Sequence, residues 1–227
     1  MKHFLRQFAK NNRFANRLKE SYVLATSEIS SYGLSVIGVI KVKLFFRKNE
    51  QNKLEFGVGG SHRKPGFITT DLRFDTTYPY DLRMGLPFPD SSIDMLYSEH
   101  VLEHFDYRQL MFLLRDCLRV LKPNGTFQFV VPNALCYVEG YLNPDGFDRD
   151  ILLSCDTGLA MDTSIDTLNY IFYLNGQHHH MYDEQSILTV FSNAGFSHAS
   201  LRSFDPTLDQ EARRIGSIYG IARKLGV

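Results

Sequence analysis

The N-terminal segment carries apolar residues at helical spacing. They lie three, four or seven positions apart, with Lys and Arg between them: Phe4, Phe8, Ala15, Leu18 and Tyr22. This spacing predicts an amphipathic helix that ends near residue 24. Ser31 and Gly33 are expected to interrupt the chain, and the apolar residues 34–46 fit either a helix or a strand, of which the helix is favoured. The polar residues 47–52 then form a linker.

Two short apolar runs follow, and both end in residues suited to ligand binding. Residues 53–57 predict a strand that leads into a turn with three glycines, where the backbone can approach a ligand closely. Residues 67–71 predict a second strand that ends at Asp71. A glycine-rich turn after a strand is typical of nucleotide-type cofactor sites, although hairpins and ordinary loops contain it too. The run from Gly57 to Asp71 is shorter than the spacing of about twenty residues in dinucleotide-binding folds, which counts against a nicotinamide cofactor.

Short strands continue to alternate with helices in the rest of the chain. Residues 106–121 predict a helix with apolar side chains at three- and four-residue spacing, Asp106 as its N-cap, and a stop at 122–125 that contains Lys, Pro and Gly. Further strands are predicted at 93–97, 126–131, 197–204 and 215–223, and a further helix at 183–194. Residues 134–176 show no regular pattern and are expected to form a substrate-side insertion.

This order of elements predicts an α/β fold. The expected architecture is a Rossmann-like, mostly parallel seven-stranded sheet with helices on both faces, plus an N-terminal helical extension. Residues 1–52 would form the extension and residues 53–227 the domain, within which residues 134–176 are the insertion.

Charge divides the chain in the same way. Residues 1–50 hold ten Lys or Arg and three Asp or Glu, a net charge of +7, and the remainder carries −7. One interpretation is a solvated basic face that packs on its own acidic domain; the other is peripheral contact of residues 1–48 with an anionic membrane or a phosphate-bearing partner. The acidic domain argues against nucleic acid as a partner.

The cysteines and the N-terminus predict a location. Three cysteines without paired short spacing indicate neither a disulfide framework nor a zinc ribbon, and no long apolar core of a signal peptide follows the N-terminal charges. These features predict a cytoplasmic protein, with peripheral contact at the inner membrane face if the basic segment binds lipid.

Four segments together resemble one known family. They are LEFGVGG at 54–60, PGFITTDL at 65–72, DLRMGLPFPDSSIDMLYSEHVLEHF at 81–105 and LRVLKPNGTFQFVVPN at 118–133. The combination resembles the class I S-adenosylmethionine-dependent methyltransferases, and looks most like the small type 11 group often encoded near glycan biosynthesis functions. The resemblance implies a methyltransferase that uses S-adenosylmethionine and a small-molecule acceptor, such as a sugar, a glycan or a lipid-linked sugar.

The resemblance also implies a set of cofactor-binding residues. Those near the methionine end are Glu55, Gly57, Val58, Gly59 and Gly60. The ribose would lie at Asp71 and Leu72, the adenine at Asp81 and Leu82, and the sulfonium at Ser98 and Glu99, with His104 close by. The candidates for a general base are Glu99, His100, His179 and His180. No metal is expected.

Two other interpretations stay open. His100, Glu103 and His104 spell His-x-x-Glu-His, the inverted zinc-peptidase pattern, which would make the chain a zinc hydrolase. The sequence offers no obvious third ligand, and the first histidine directly follows an apolar strand. The second alternative is a non-catalytic binding protein on the same fold, against which the acids Glu55, Asp71 and Asp81 argue.

Overall fold

The computed structural model describes residues 13–48, 50–59, 64–143 and 163–226. The start of the predicted N-terminal helix, Gly60 of the glycine turn and the middle of the predicted insertion lie outside the described residues.

The described residues form α-helices and the strands of one sheet. The helices are α1 (Arg13–Phe45), α2 (Tyr107–Val120), α3 (Ala134–Leu142), α4 (Ser164–Tyr173) and α5 (Glu184–Ala194). The strands are β1 (Lys53–Phe56), β2 (Ile68–Asp71), β3 (Tyr78–Pro79), β4 (Ile93–Glu99), β5 (Leu121–Pro132), β6 (His198–Leu201) and β7 (Ser217–Arg223). Short 3-10 turns lie at Leu82–Met84, Leu102–His104, Leu174–Gly176 and Glu211–Arg213.

Within the described residues the seven strands form one mixed sheet. Their order is β3-β2-β1-β4-β5-β7-β6. Strands β1 to β5 pair in parallel, whereas β7 runs antiparallel to both β5 and β6. The prediction of a mostly parallel, Rossmann-like seven-stranded sheet with helices on both faces is therefore confirmed, and so is the N-terminal helix.

The strand order positions the candidate site. The chain runs from β1 outward to β2 and β3, then returns to the other side of β1 as β4. In open α/β sheets ligands bind at such a switch point, beyond the carboxyl ends of the strands. The glycine turn after β1, Asp71 at the end of β2 and Glu99 at the end of β4 share this edge.

Helix α2 follows directly from its sequence. Asp106 is the N-cap and forms a capping box with Gln109, whose backbone N–H donates to the Asp106 carboxylate over 2.9 Å. The helix buries its leucines and Cys117 against the sheet. Asn124 adopts a φ of 62°, so the predicted turn at 122–125 is present as an irregularity within β5.

The predicted break near Gly33 is wrong. Helix α1 is continuous, because tertiary contacts offset the helix-weakening effect of glycine, which costs about 1 kcal/mol. Ser31 and Ser35 bond to Asp81, and a Cβ at Gly38 would lie 2.0 Å from the carbonyl oxygen of Pro79. Gly38 thus permits close packing of α1 on β3.

Four other elements differ from the sequence predictions. Residues 134–142 form α3, with Asn133 as its N-cap, and residues 164–173 form α4, where an irregular segment is predicted. Strand β6 is shorter than the predicted 197–204, and the two-residue β3 has too little sequence to show a pattern. No helix in the described part of the chain has the length and apolar character that crossing a membrane requires.

Candidate active site

A cavity of about 530 Å³ opens at the carboxyl ends of β1, β2 and β4. This volume is in the range of sites for small organic ligands. Most of the predicted cofactor residues line it: Glu55, Gly57, Val58, Gly59, Asp71, Leu72, Asp81, Leu82, Glu99 and His104. Ser98 does not line it, and its side chain is fully buried.

The glycine turn forms one wall of the cavity. Gly57 has a φ of 69°, and a Cβ there would lie 2.3 Å from Val101 Cγ2. Both the backbone angle and the close packing therefore require glycine. Gly59 has a φ of 53°, and its N–H donates to Asp71 Oδ2 over 2.8 Å. The turn after β1 is thus bonded directly to the acid that ends β2.

Asp71 is held in a fixed orientation. Its other carboxylate oxygen accepts from the backbone N–H of Leu72 over 2.6 Å. The side chain remains partly exposed at the cavity wall. A carboxylate has about four lone-pair sites, so Asp71 keeps the capacity to accept the hydroxyl groups of a ribose, which is its predicted role.

A buried ion pair involves Glu55, whose side chain is only 6% exposed. Lys64 Nζ lies 3.0 Å from Glu55 Oε1 and 3.5 Å from Glu99 Oε2, and 4.1 Å from the centre of the Tyr97 ring. The lysine arrives from the segment after the glycine turn and is itself 9% exposed. Two carboxylates and an aromatic face therefore surround one ammonium group.

Glu99 has further partners from distant parts of the chain. Its Oε2 accepts from the Tyr97 hydroxyl over 2.8 Å. The backbone N–H and the side-chain amide of Gln210 donate to its two oxygens, each over 3.2 Å. Burial, together with the charges of Glu99 and Asp209, raises the pKa of Tyr97 far above its usual range. Tyr97 therefore stays protonated and donates to Glu99.

Asp81 connects the cavity to helix α1. Its Oδ2 accepts from the Ser31 hydroxyl over 2.6 Å, and both oxygens accept from Arg83. Arg83 also pairs with Glu28 of α1 over 2.9 Å. The predicted acceptance of a hydrogen bond from the adenine amine would thus be shared with partners that hold the N-terminal helix.

Three histidines and one glutamate lie close together beside the cavity. His100 and His104 line the cavity, and His178 packs edge-on against His104 with ring centres 4.8 Å apart. Glu103 lies between them, fully buried. Burial raises the pKa of Glu103 to about 8 and lowers the pKa of His104 to about 4. Burial also holds the pKa of His100 well below its usual value, so both cavity-lining imidazoles are neutral at pH 7.

The segment that contains His178 is held by the backbone of Glu103. The N–H groups of His179 and His180 donate to the Glu103 carbonyl oxygen over 2.8 and 3.2 Å. The side chain of His179 is exposed, whereas His180 packs on Tyr182 with ring centres 4.8 Å apart. Neither side chain lines the cavity. Of the three histidines, His178 lies next to the cavity histidines.

Some site residues were missed because their sequence neighbourhood gives no signal. Gln210 and Arg213 line the cavity from the segment before β7, more than one hundred residues after Glu99 in the chain. Lys64 lies in a polar segment that predicts only a loop. Tertiary structure alone brings the Lys64 ammonium and the imidazole of His178 to the site.

Comparison with known proteins gives matches over part of the sequence and over most of the fold. Residues 73–129 match a family model described as "Methyltransferase domain". A curated protein from Mycolicibacterium smegmatis named "Probable S-adenosylmethionine-dependent methyltransferase" is 38% identical over 72 residues, which are 30% of this chain. The chain spans 27% of the length of that relative.

Solved structures are similar at lower identity. A SAM-dependent methyltransferase from Thermotoga maritima is 12% identical, with 93% of this chain and 97% of that chain covered and a TM-score of 0.48. One from Methanosarcina mazei is 15% identical, with 82% and 97% covered and a TM-score of 0.47.

Proposed function

We propose that this chain belongs to the type 11 family of class I methyltransferases, whose model matches residues 73–129, and that it transfers a methyl group from S-adenosylmethionine to a small-molecule acceptor. The observation that carries the proposal is the convergence of Glu55, the Gly57–Gly59 turn and Asp71 on one cavity. These residues suit the charges of the cofactor, because a carboxylate pairs with its ammonium group and another accepts from its ribose hydroxyls.

Lys64 supports this fit from within the molecule. Its ammonium stands in for the amino group of a methionine moiety, since it lies between Glu55 and Glu99. The subsite therefore accommodates a cation. Asp71 supports the fit at the ribose end, because its bonds to Gly59 and Leu72 fix its orientation.

When bound, S-adenosylmethionine supplies a methyl group on a positively charged sulfur. The task of the protein is mainly to align the acceptor with that methyl group. The acceptor atom forms a bond to the methyl carbon, the sulfur keeps the electron pair of the broken bond, and a hydroxyl acceptor loses its proton. The neutral imidazoles of His100 and His104 line the cavity and can accept a proton, but their low pKa makes them weak bases.

The acceptor that fits the chain best is a sugar hydroxyl in a glycan or a lipid-linked sugar. The acidic domain disfavours polyanionic nucleic acid, and the polar groups of the cavity match hydroxyl-rich ligands. A lipid-linked acceptor also gives a purpose to the basic N-terminal segment, which we propose contacts the membrane peripherally. Support for this contact comes from large apolar side chains on α1 that remain exposed: Ile29, Tyr32, Val36, Ile37, Ile40 and Leu44.

Calorimetry with S-adenosylhomocysteine tests the cofactor site. We expect binding by the wild-type chain and a loss of at least tenfold in affinity for Asp71→Ala, because hydrogen bonds to a charged group are worth about 1.5–3 kcal/mol. Asp75→Ala is the matched control, since Asp75 is exposed and pairs with Arg73 close to it in sequence. No binding by the wild type, or equal affinity in Asp71→Ala, would refute the cofactor assignment.

A further inference from the structure

The carboxylate of Glu103 is an anomaly in an otherwise well-bonded site. Glu103 has 0% of its surface exposed, and neither carboxylate oxygen has a hydrogen-bond partner in the described part of the chain. His100 Nδ1 lies 3.9 Å and His178 Nε2 lies 4.0 Å from Glu103 Oε1, and both distances are beyond hydrogen-bond distance. Burying a polar group without a partner costs several kcal/mol, and a ligand bound at this position would offset that cost.

His104 and His178 each have a tautomer that leaves the lone pair of Nε2 free. His178 Nδ1 lies 2.5 Å from the carbonyl oxygen of Ile171, and His104 Nδ1 lies 3.1 Å from that of Gln177. A carbonyl oxygen only accepts, so both Nδ1 atoms carry the proton and donate. Each Nε2 atom is then left with its lone pair. Histidines that ligate metals are oriented in this way by backbone carbonyls.

The ligand atoms of these three residues are close enough for one ion. Glu103, His104 and His178 each offer one ligand atom, and these atoms lie within 4.8 Å of one another. Ligands at about 2.0–2.2 Å from a zinc ion are roughly 3–4 Å apart, so a small contraction of the cluster closes the site. Imidazole and carboxylate together favour first-row transition metals over magnesium or calcium.

We propose that Glu103, His104 and His178 bind a divalent first-row transition metal ion such as Zn²⁺ or Mn²⁺. The site has three protein ligands and is bordered by the cavity, which His100 and His104 line. Three protein ligands with an open position are typical of catalytic rather than structural metal sites. His178, from another part of the chain, joins Glu103 and His104 of the His-x-x-Glu-His pattern, whereas His100 is not among the proposed ligands.

An ion at this position would bind the acceptor of the methyl group. A hydroxyl oxygen of the acceptor occupies the open position, and the positive charge of the ion lowers its pKa. The proton passes to solvent, and the oxygen then forms its bond to the methyl carbon while the sulfur retains the electron pair. This role rests on the proposed function, whereas the metal site itself does not.

Metal titration of the untagged full-length chain tests the site. After treatment with a chelator and its removal, calorimetry with Zn²⁺ and with Mn²⁺ should show one bound equivalent for at least one of the two ions. Glu103→Gln keeps the shape of the side chain, and His178→Ala removes a ligand; each should weaken binding at least tenfold. The matched controls are Glu184→Gln and His198→Ala, because both residues are exposed and neither belongs to the cluster.

The controls decide between this site and adventitious binding. Equal affinity in Glu103→Gln, His178→Ala and the wild type would overturn the proposal, as would the absence of a bound equivalent in the wild type. Co²⁺ provides a measurement that needs no variant, because its visible absorption reports histidine ligation and tetrahedral geometry. A wild-type spectrum identical to that of Co²⁺ in buffer would also overturn the site, even if a variant failed to fold.

One experiment tests the metal site and the methyltransferase function independently of each other. Calorimetry with S-adenosylhomocysteine is performed on the metal-free chain and on the metal-loaded chain. Metal binding without S-adenosylhomocysteine binding would retain the metal site and remove the methyltransferase function. The opposite result would retain the function and remove the metal site.

Discussion

At the scale of single residues, Lys64 occupies the position that we propose for the amino group of the cofactor. Its ammonium lies 3.0 Å from Glu55, so a bound methionine moiety must displace it. We expect Lys64→Met to bind S-adenosylhomocysteine about tenfold more tightly, a gain of roughly 1.4 kcal/mol, because no internal cation has to leave. Calorimetry measures the change, with Lys48→Met at an exposed position as the control.

The opposite result would assign Lys64 another role. If Lys64→Met binds more weakly, the lysine remains in place when the site is loaded and pairs with the carboxylate end of the cofactor. The sign of the change in affinity therefore distinguishes a displaced lysine from a binding lysine.

Gly57 and Gly59 provide a matched pair at the cavity wall. Both have positive φ, but an added Cβ meets Val101 at Gly57 and meets nothing within 4 Å at Gly59. We expect Gly59→Ala to lower the free energy of unfolding by about 1–2 kcal/mol from backbone strain alone. Gly57→Ala should lose roughly 1–3 kcal/mol more, because the clash forces the backbone to shift.

Urea denaturation of the two glycine variants checks the expected order. S-adenosylhomocysteine binding should also be weaker in Gly57→Ala, since the turn moves with the clash. Equal stability of both variants would mean that Val101 moves aside without cost, and that close packing does not explain this glycine.

The sequence predicts individual residues where local pattern and chemistry coincide. Glu55, Asp71 and Glu99 each lie at or next to the carboxyl end of a strand, so these cavity-lining positions can be located from the sequence alone. His178 and Lys64 cannot be located in this way, because their place depends on how two distant segments pack. The roles predicted for His179 and His180 remain predictions, although neither side chain lines the cavity.

At the scale of secondary-structure elements, the docking of α1 depends on the charge of Asp81. Burial alone would raise the pKa of Asp81, but hydrogen bonds from Arg83 and Ser31 outweigh it and hold the pKa below its usual 3.8. A carboxyl with a lowered folded-state pKa stabilises the fold above the unfolded-state value, and loses this contribution as the pH falls through the folded-state value. The docking of α1 should therefore weaken below about pH 4.

Asp81→Asn tests this dependence. At pH 7 the variant should lose about 1–3 kcal/mol of unfolding free energy, as is usual for hydrogen bonds to a charged group. The difference from wild type should shrink as the pH falls below about 4, because the wild-type carboxyl is then neutral as well. Urea denaturation at several pH values measures it, with the exposed Asp75→Asn as control. A difference that stays constant down to pH 3 would contradict the assigned role of Asp81.

Elements with a full periodic pattern are predicted well from this sequence, and elements set by packing are not. Helix α2 has a cap, an apolar stripe and a stop signal, and its predicted and observed bounds agree within one residue at each end. The continuity of α1 through Gly33 depends instead on contacts with Asp81 and Pro79. Those contacts are formed only when the sheet is present.

At the scale of the whole molecule, the basic N-terminal segment and the apolar face of α1 predict binding to anionic vesicles. Ile40 is 51% exposed on α1, so Ile40→Asp should reduce sedimentation with phosphatidylserine vesicles several-fold without disturbing the fold. Ser30→Asp adds the same charge at another exposed position of the helix and is the control. Equal sedimentation of both variants and the wild type would refute the membrane contact. Point variants are preferable to removal of the segment, because α1 also supplies Ser31 to Asp81.

The sheet from β4 onward follows from an alternation of strands and helices, whereas β1 to β4 follow one another without an α-helix between them in the described residues. The charge asymmetry between residues 1–50 and the rest is also evident without coordinates. The contacts between these two parts are not, because Asp81 is predicted to face the cofactor and in the structure also accepts from Ser31 and Arg83.

Asp81 makes the two parts of the molecule thermodynamically dependent on each other. The same carboxylate lines the cavity and holds α1, so a ligand that draws on its lone pairs changes the free energy with which the helix docks. Linkage requires the reverse effect to be equal in size. If α1 is pulled toward a surface, the affinity of the cavity changes by the same factor by which an occupied cavity changes the hold on the helix.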